Sequence, residues 1–245
     1  MRVCFLFLFN FITFLSYGQI IDSLNTAKNC VYMTADEREM IYEINRVRSN
    51  PKSYLQYLQP LLVEANEKLK KYGKGSKNYS LTFTTETRNG KEIKTVDTTW
   101  HYTNTEEVKA LTSLINDLKK LKPLSVLQPD SGIYKAANKH AKDQHEHNWQ
   151  LMHTGTDGSN PWDRITFFSP LMDFGNENIA GNSEFTIARG IVIQLLVDDG
   201  IAGYGHRYNL LDPAWTHIAC KGERFNSMSW WVQNFGKKKK KYQTE

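Results

Sequence analysis

Helical patterning recurs in five separate stretches of this 245-residue chain, while strand character is confined to two late stretches and a Thr-rich hairpin signal. That inventory restricts the possible folds more than any other feature. Thr34-Ala35-Asp36-Glu37 is a capping box: a Thr N-cap with Glu three residues on, each side chain able to bond the other's backbone N–H. Met40, Ile44 and Val47 follow at 3.6-residue spacing, which predicts an amphipathic helix over 35–48. Asn50-Pro51 ends it, because the residue before Pro avoids the helical region. A second helical stretch runs over 51–71, with Pro60 expected to kink or split it. Val108, Leu111, Leu114, Ile115, Leu118 and Leu121 mark a helix over 105–121. Asp130 caps another that reaches Glu146 and carries Ile133, Ala136, Ala137 and Ala141 on one face. Ile187, Ile191 and Leu195 place a fifth over 184–198. Thr216–Lys221 and Ser229–Asn234 cluster as strands do, with Gly222–Asn226 turning between them. Helices and few strands in mixed order predict an α+β layered domain.

Residues 72–104 differ in character. Asn89-Gly90 sits between Thr-rich runs, the strongest short-range hairpin signal, so 81–88 and 91–98 are expected as two strands of an inserted hairpin. At the N-terminus, Met1-Arg2 precedes an apolar run from Val3 to Leu15, then Ser16-Tyr17-Gly18. This is the layout of a signal peptide over 1–18, cleaved near Gly18, and implies a secreted or periplasmic product. The apolar core is short of the roughly 20 residues that span a bilayer, and no later segment looks transmembrane. One domain is expected over 19–236, followed by a Lys-rich tail over 237–245. The net charge of +5 comes largely from that tail, since 19–236 carries 25 basic and 25 acidic residues. A near-neutral body argues against nucleic acid, which needs a basic face. The tail offers weak contact with anionic surfaces. Cys30 and Cys220 remain after export, either paired or as two free thiols.

Candidate chemistry lies in four ordered segments between His153 and Gly236. They are His153-Thr154-Gly155, Asn176-Glu177-Asn178, Gly205-His206-Arg207 and Trp230-Trp231-Val232-Gln233-Asn234. Imidazole and carboxylate groups set beside Gly and Asn suggest turn-borne sites, and such side chains on a rigid scaffold serve metal binding and acid–base work. Spacing alone does not bring them together.

The order and spacing of these segments, with Asn45-Arg46-Val47-Arg48-Ser49-Asn50-Pro51 upstream, resemble the CAP superfamily of cysteine-rich secretory, antigen 5 and pathogenesis-related proteins, bacterial SCP-domain members included. The resemblance covers roughly 34–236. It implies an α-β-α sandwich, with the hairpin as an N-terminal addition, and a cleft tetrad of two His and two acids. His153, Glu177 and His206 match three members, and Asp198, with Asp199 as the alternative, matches the fourth. It further implies that His153 and His206 bind zinc or another divalent metal, with Glu177 and Asp198 as candidate catalytic groups and Glu177 as the natural base. Three positions depart from the family pattern. Asn176 replaces Gly, Asp replaces the usual Glu, and Leu195 stands where Trp is usual.

Other features rank lower. His145-x-His147 reads as a solvated helix end, because residues two apart on a helix face different ways. Asp157-Gly158-Ser159-Asn160-Pro161-Trp162-Asp163-Arg164 reads as turn chemistry and packing, and Arg207 as the partner of Asp212 or Asp198. Ser159 and Ser183 lack a nucleophile-elbow context, and Cys220 sits in an apolar strand. The expected function is a module binding a divalent metal or a small polar ligand, directed at an envelope, lipid or protein partner. A metal-dependent hydrolase and a structural envelope protein are the alternatives.

Overall fold

The computed structural model describes residues 23–88, 91–182, 187–225 and 227–239, except the side chains of 82–94. The signal-peptide reading, the Asn89-Gly90 turn, Ser183 and the tail beyond 239 lie outside the described residues. The chain divides into two compact units, one comprising residues to 49, 124–192 and 212 onward, the other 50–123 and 193–211.

The first unit is built on four strands: β3 (Gln128–Pro129), β4 (Met172–Asn182), β5 (His217–Phe225) and β6 (Met228–Lys238), in the order β3-β5-β6-β4. β3 runs parallel to β5, and the other pairs are antiparallel. Alternation along β6 sorts its side chains between two faces. On one face lies α1 (Ala35–Ser49), whose Met40 Sδ accepts from Gln233 Nε2 at 3.3 Å. On the other lie α4 (Ser131–Glu146) and α5 (Pro161–Phe168): Ala137 and Ala141 pack with Val232 and Trp149, and Ile165 crowds Gly175. The implied α-β-α layering is therefore present.

Local sequence accounts for the helix ends. Thr34 and Glu37 form the expected capping box at 3.3 and 2.8 Å, and Asp130 accepts from Ile133 N at 2.8 Å. The family-like signature at the end of α1 serves the scaffold. The buried Asn45 amide accepts from Leu127 N at 2.7 Å and donates to Leu127 O at 3.2 Å. Buried Arg48 donates to the carbonyls of Ser125 and Asp212, and burial pushes its pKa down to about 10.

The second unit holds a 3-10 turn (Pro51–Tyr54), α2 (Leu55–Tyr72), the hairpin strands β1 (Lys77–Arg88) and β2 (Lys91–Tyr102), α3 (Thr103–Lys120) and α7 (Gly205–Leu211). α6 (Ala188–Val197) passes from the first unit to the second at residue 193. The hairpin is longer than its Thr-rich core, running four residues further at each base, where Thr103 N donates to Ser76 O and Asn104 Nδ2 to Gly73 O.

Several expectations need correction. Pro60 does not split α2. Pro60 and Gln56, whose carbonyl it leaves without a helical donor, are both exposed, so water can supply the missing bond. Gly222 is not in a turn but inside β5, where an added Cβ would meet the Trp231 ring at 2.6 Å. The segment Asn176–Asn178 is the middle of β4, not a loop, and Asn176 does not adopt positive φ. Gly205 has φ −58 and opens α7, so its backbone freedom is unused. Cys30 and Cys220 are both free, and complete burial raises the Cys220 thiol well above its ordinary value.

Candidate functional site

Each unit sets one of the two candidate histidines against a buried carboxylate. In the first unit, β4 carries Glu177 opposite Asn234 of β6, on the sheet face covered by α4 and α5. Glu177 is 1% exposed. A carboxylate so deeply desolvated needs partners on both oxygens. Oε1 lies 3.1 Å from His153 Nδ1 and accepts from Arg164 Nη2 at 3.2 Å. Oε2 accepts from the same Nη2 at 3.1 Å and from the Asn234 amide at 2.9 Å, the amide carbonyl turning to Ala137 N.

Arg164 sits on α5, whose start is fixed by an Asn160/Asp163 capping box. Its buried guanidinium also donates to His153 O at 2.9 Å and Ser159 O at 2.6 Å, so one side chain ties both backbone and carboxylate of the dyad. The chain reaches His153 through three left-handed residues, Asn148, Trp149 and Leu151. Left-handed Trp and Leu cost on the order of 1–3 kcal/mol each and persist only where packing dictates them. Here Trp149 stacks on Trp230 at 5.1 Å, and Gln144 Nε2 and His140 Nε2 both bond Met152 O. His140 itself is buried. Its Nε2 lies 3.6 Å from Glu177 Oε1, and its Nδ1 has no hydrogen-bond partner among the described residues. Burial pushes its pKa down, the Glu177 charge opposing and Arg164 assisting.

In the second unit, α6 ends at Val197, and Asp198 follows with φ 55. Asp198 is 5% exposed. Its Oδ1 lies 2.7 Å from His206 Nδ1, and Oδ2 accepts from the backbone N–H of His206 at 2.9 Å and of Arg207 at 3.4 Å. It thus caps the first turn of α7, where a negative charge complements the helix dipole. Asp199, the alternative, does not hold His206. Partial desolvation and the carboxylates of Glu107, Asp198 and Glu106 raise its pKa. Arg207 pairs with neither Asp212 nor the Asp198 carboxylate through its side chain. Its buried guanidinium bonds Asp117 at 3.0 Å, Ser113, and the carbonyls of Ala110, Leu196 and Val197. Two of those carbonyls end α6 and would otherwise lack donors.

The dyads share a chemistry. In each a carboxylate oxygen faces the imidazole Nδ1, the arrangement by which carboxylates orient metal-ligating histidines. The donor type therefore fits a divalent ion. Among the described residues, no group of three or more His, Cys, Asp or Glu is arranged to hold one. The His145/His147 pair behaves as a helix end, with His145 on Glu223 and His147 on Asp143 O, both half-exposed. The 157–164 segment opens as the expected turn, where Asp157 Oδ1 accepts from Ser159 N at 3.0 Å and Gly158 is left-handed, and enters α5 at Pro161. Sequence reading missed Arg164 as the dyad's cation, together with His140 and Asn234. Of these, only His140 had an advance signal, its place on the apolar face of the expected 130–146 helix.

The family model of the cysteine-rich secretory protein (CAP) family matches residues 112–235, just over half of the chain, and contains both dyads. No curated protein matches the chain. Among solved structures, an outer surface protein of Borrelia burgdorferi is similar at 24% identity and TM-score 0.41, covering 55% of this chain and 94% of its own. An extracellular SCP-domain protein of Bacillus anthracis is similar at 21% identity and TM-score 0.35, covering 58% of this chain and 47% of its own.

Proposed function

The chain belongs to the cysteine-rich secretory protein (CAP) family, and from that premise we propose that it is an exported binding module whose carboxylate–histidine dyads serve divalent-metal binding. The observation that carries this is the engagement of both Nδ1 atoms by buried carboxylates, at 3.1 Å for His153 and 2.7 Å for His206. Export rests on the N-terminal apolar run alone. His153 and His206 would each act as a metal ligand, with Glu177 and Asp198 orienting them. Bound there, the ion would polarise a coordinated water or a ligand oxygen. We assign Glu177 this orienting role rather than that of a general base, because both its oxygens are occupied by Arg164, His153 and Asn234. For that reason the hydrolase alternative gains no support from the geometry.

Calorimetric titration with zinc tests the reading. The chain should bind zinc, and the His153→Ala/His206→Ala double variant should not. The number of ions per chain, and which single variant removes each, assigns them to their histidines. Glu177→Gln should weaken zinc about 10–100-fold, the usual loss when a group orienting a ligand is removed. A well-folded wild type that ignores zinc would sink the metal reading. Turnover abolished by Glu177→Gln would overturn the orienting assignment.

A further inference from the structure

The hairpin lies wholly outside the family match, and neither dyad uses it. Its register sorts its residues cleanly. Lys77 pairs with Tyr102, Tyr79 with Trp100 and Leu81 with Thr98, so these side chains share one face of the ribbon, and Val96 joins them by alternation along β2. Asn78, Ser80, Asp97, Thr99 and His101 fall on the other face. The first face is apolar and uncovered. Tyr79, Leu81, Val96, Trp100 and Tyr102 are each between 41% and 59% exposed. Soluble proteins seldom leave so many large apolar side chains together in water without a partner for them.

The surrounding charge says which partner. Lys70, Lys71, Lys74 and Lys77 are all exposed where α2 leads into β1. Three of them lie over aromatic rings: Lys71 on Tyr72 at 4.8 Å, Lys74 on Tyr102 at 5.6 Å and Lys77 on Trp100 at 4.6 Å. Among the described side chains of the apolar face there is no acid, and Asp97 is turned away. Tyr and Trp with an apolar body and a polar tip settle at the headgroup level of a bilayer. Lys stems lie along the rings and carry their ammonium groups outward to phosphate.

We infer that this face of the hairpin docks on an anionic lipid surface. Tyr79, Trp100 and Tyr102 enter the headgroup layer while Lys70, Lys71, Lys74 and Lys77 pair with lipid phosphates. The contact is peripheral and needs no membrane-spanning helix. Phosphatidylglycerol is the simplest lipid with the required charge.

Co-sedimentation of the full chain with vesicles tests this, using phosphatidylglycerol mixed with phosphatidylcholine against phosphatidylcholine alone. The chain should bind the anionic vesicles and release as salt rises. Lys74→Glu/Lys77→Glu should weaken binding about tenfold or more, since each basic residue at such a surface matters roughly fivefold, and Tyr79→Ser/Trp100→Ser should weaken it as well. All four positions are exposed, so both variants should keep wild-type circular dichroism and zinc binding. A Lys237→Gln/Lys238→Gln/Lys239→Gln/Lys240→Gln/Lys241→Gln variant should bind as wild type. Binding that survives both hairpin variants but is lost with the tail would overturn the inference. So would failure to bind anionic vesicles, or concentration-dependent dimerisation that Trp100→Ser abolishes, which would make a second copy the occupant.

Discussion

Glu177 and Asp198 each hold the Nδ1 of a histidine, yet Glu177 is fixed by residues scattered through the chain, while Asp198 is fixed by its own neighbourhood. Glu177 stands mid-strand and takes its bonds from a helix, a loop and the adjacent strand, through Arg164, His153 and Asn234. Asp198 sits just past one helix and caps the next, its bonds to His206 and Arg207 spanning no more than nine residues. Each region also buries an arginine. Arg164 bonds the dyad carboxylate itself, whereas Arg207 serves helix-end carbonyls and a half-exposed Asp117. The first histidine is thus oriented by tertiary structure, the second by local capping, and the two should fail differently when perturbed.

The largest expected effect is at Arg164. Arg164→Met keeps the apolar volume and strips the cation from a carboxylate that is 1% exposed. Breaking a buried pair this way costs about 3–5 kcal/mol, read as a fall in the denaturation midpoint. It should also loosen the His153 loop, because the same guanidinium holds His153 O. A loss below about 1 kcal/mol, the ordinary value of an exposed pair, would break the claim that tertiary anchoring governs this dyad.

Next come the carboxylates, compared directly. Glu177→Gln leaves Arg164 buried without its counter-charge and should cost about 2–3 kcal/mol, the upper range for a charged hydrogen bond plus an unsatisfied partner. Asp198→Asn keeps an oxygen for the backbone N–H groups of His206 and Arg207, losing mainly the charge at the α7 start, for about 0.5–1 kcal/mol. Urea denaturation of both variants measures the difference. Equal losses would mean that the two dyads are not anchored differently after all.

This contrast also explains what could be seen in the sequence. The capping box at Thr34 and the Asp130 cap are local chemistry, so the helix starts they set are legible residue by residue. Both histidines and both acids were recognised through the family-like segments, and the structure does pair His153 with Glu177 and His206 with Asp198. The strand β4 was not legible. Asn176 and Asn178 favour loops, and the pairing with β6 that overrides them is a long-range contact. Arg164 was invisible for the same reason. Nothing near it in sequence shows that its charge will be met by a carboxylate thirteen residues away inside a sheet. Gly222 misled because glycine commonly marks turns, whereas here it makes room for the Trp231 ring.

The smallest predicted effect concerns acid sensitivity and sharpens the comparison from the first dyad's side. Buried His140 faces Glu177, Arg164 and Asp143, and its folded pKa lies below its ordinary value, chiefly because burial disfavours the imidazolium. Below about pH 6.5 the unfolded chain therefore takes up a proton at His140 that the folded chain resists. Stability from this group is complete above that pH and declines as the pH falls toward the folded value, by at most about 1.4 kcal/mol per pH unit. His140→Gln retains an amide able to donate to Met152 O, so it should fold while removing the proton uptake. Stability measured at pH 7.5 and 5.5 should then differ less in the variant than in the wild type. An unchanged difference would place the acid sensitivity outside His140.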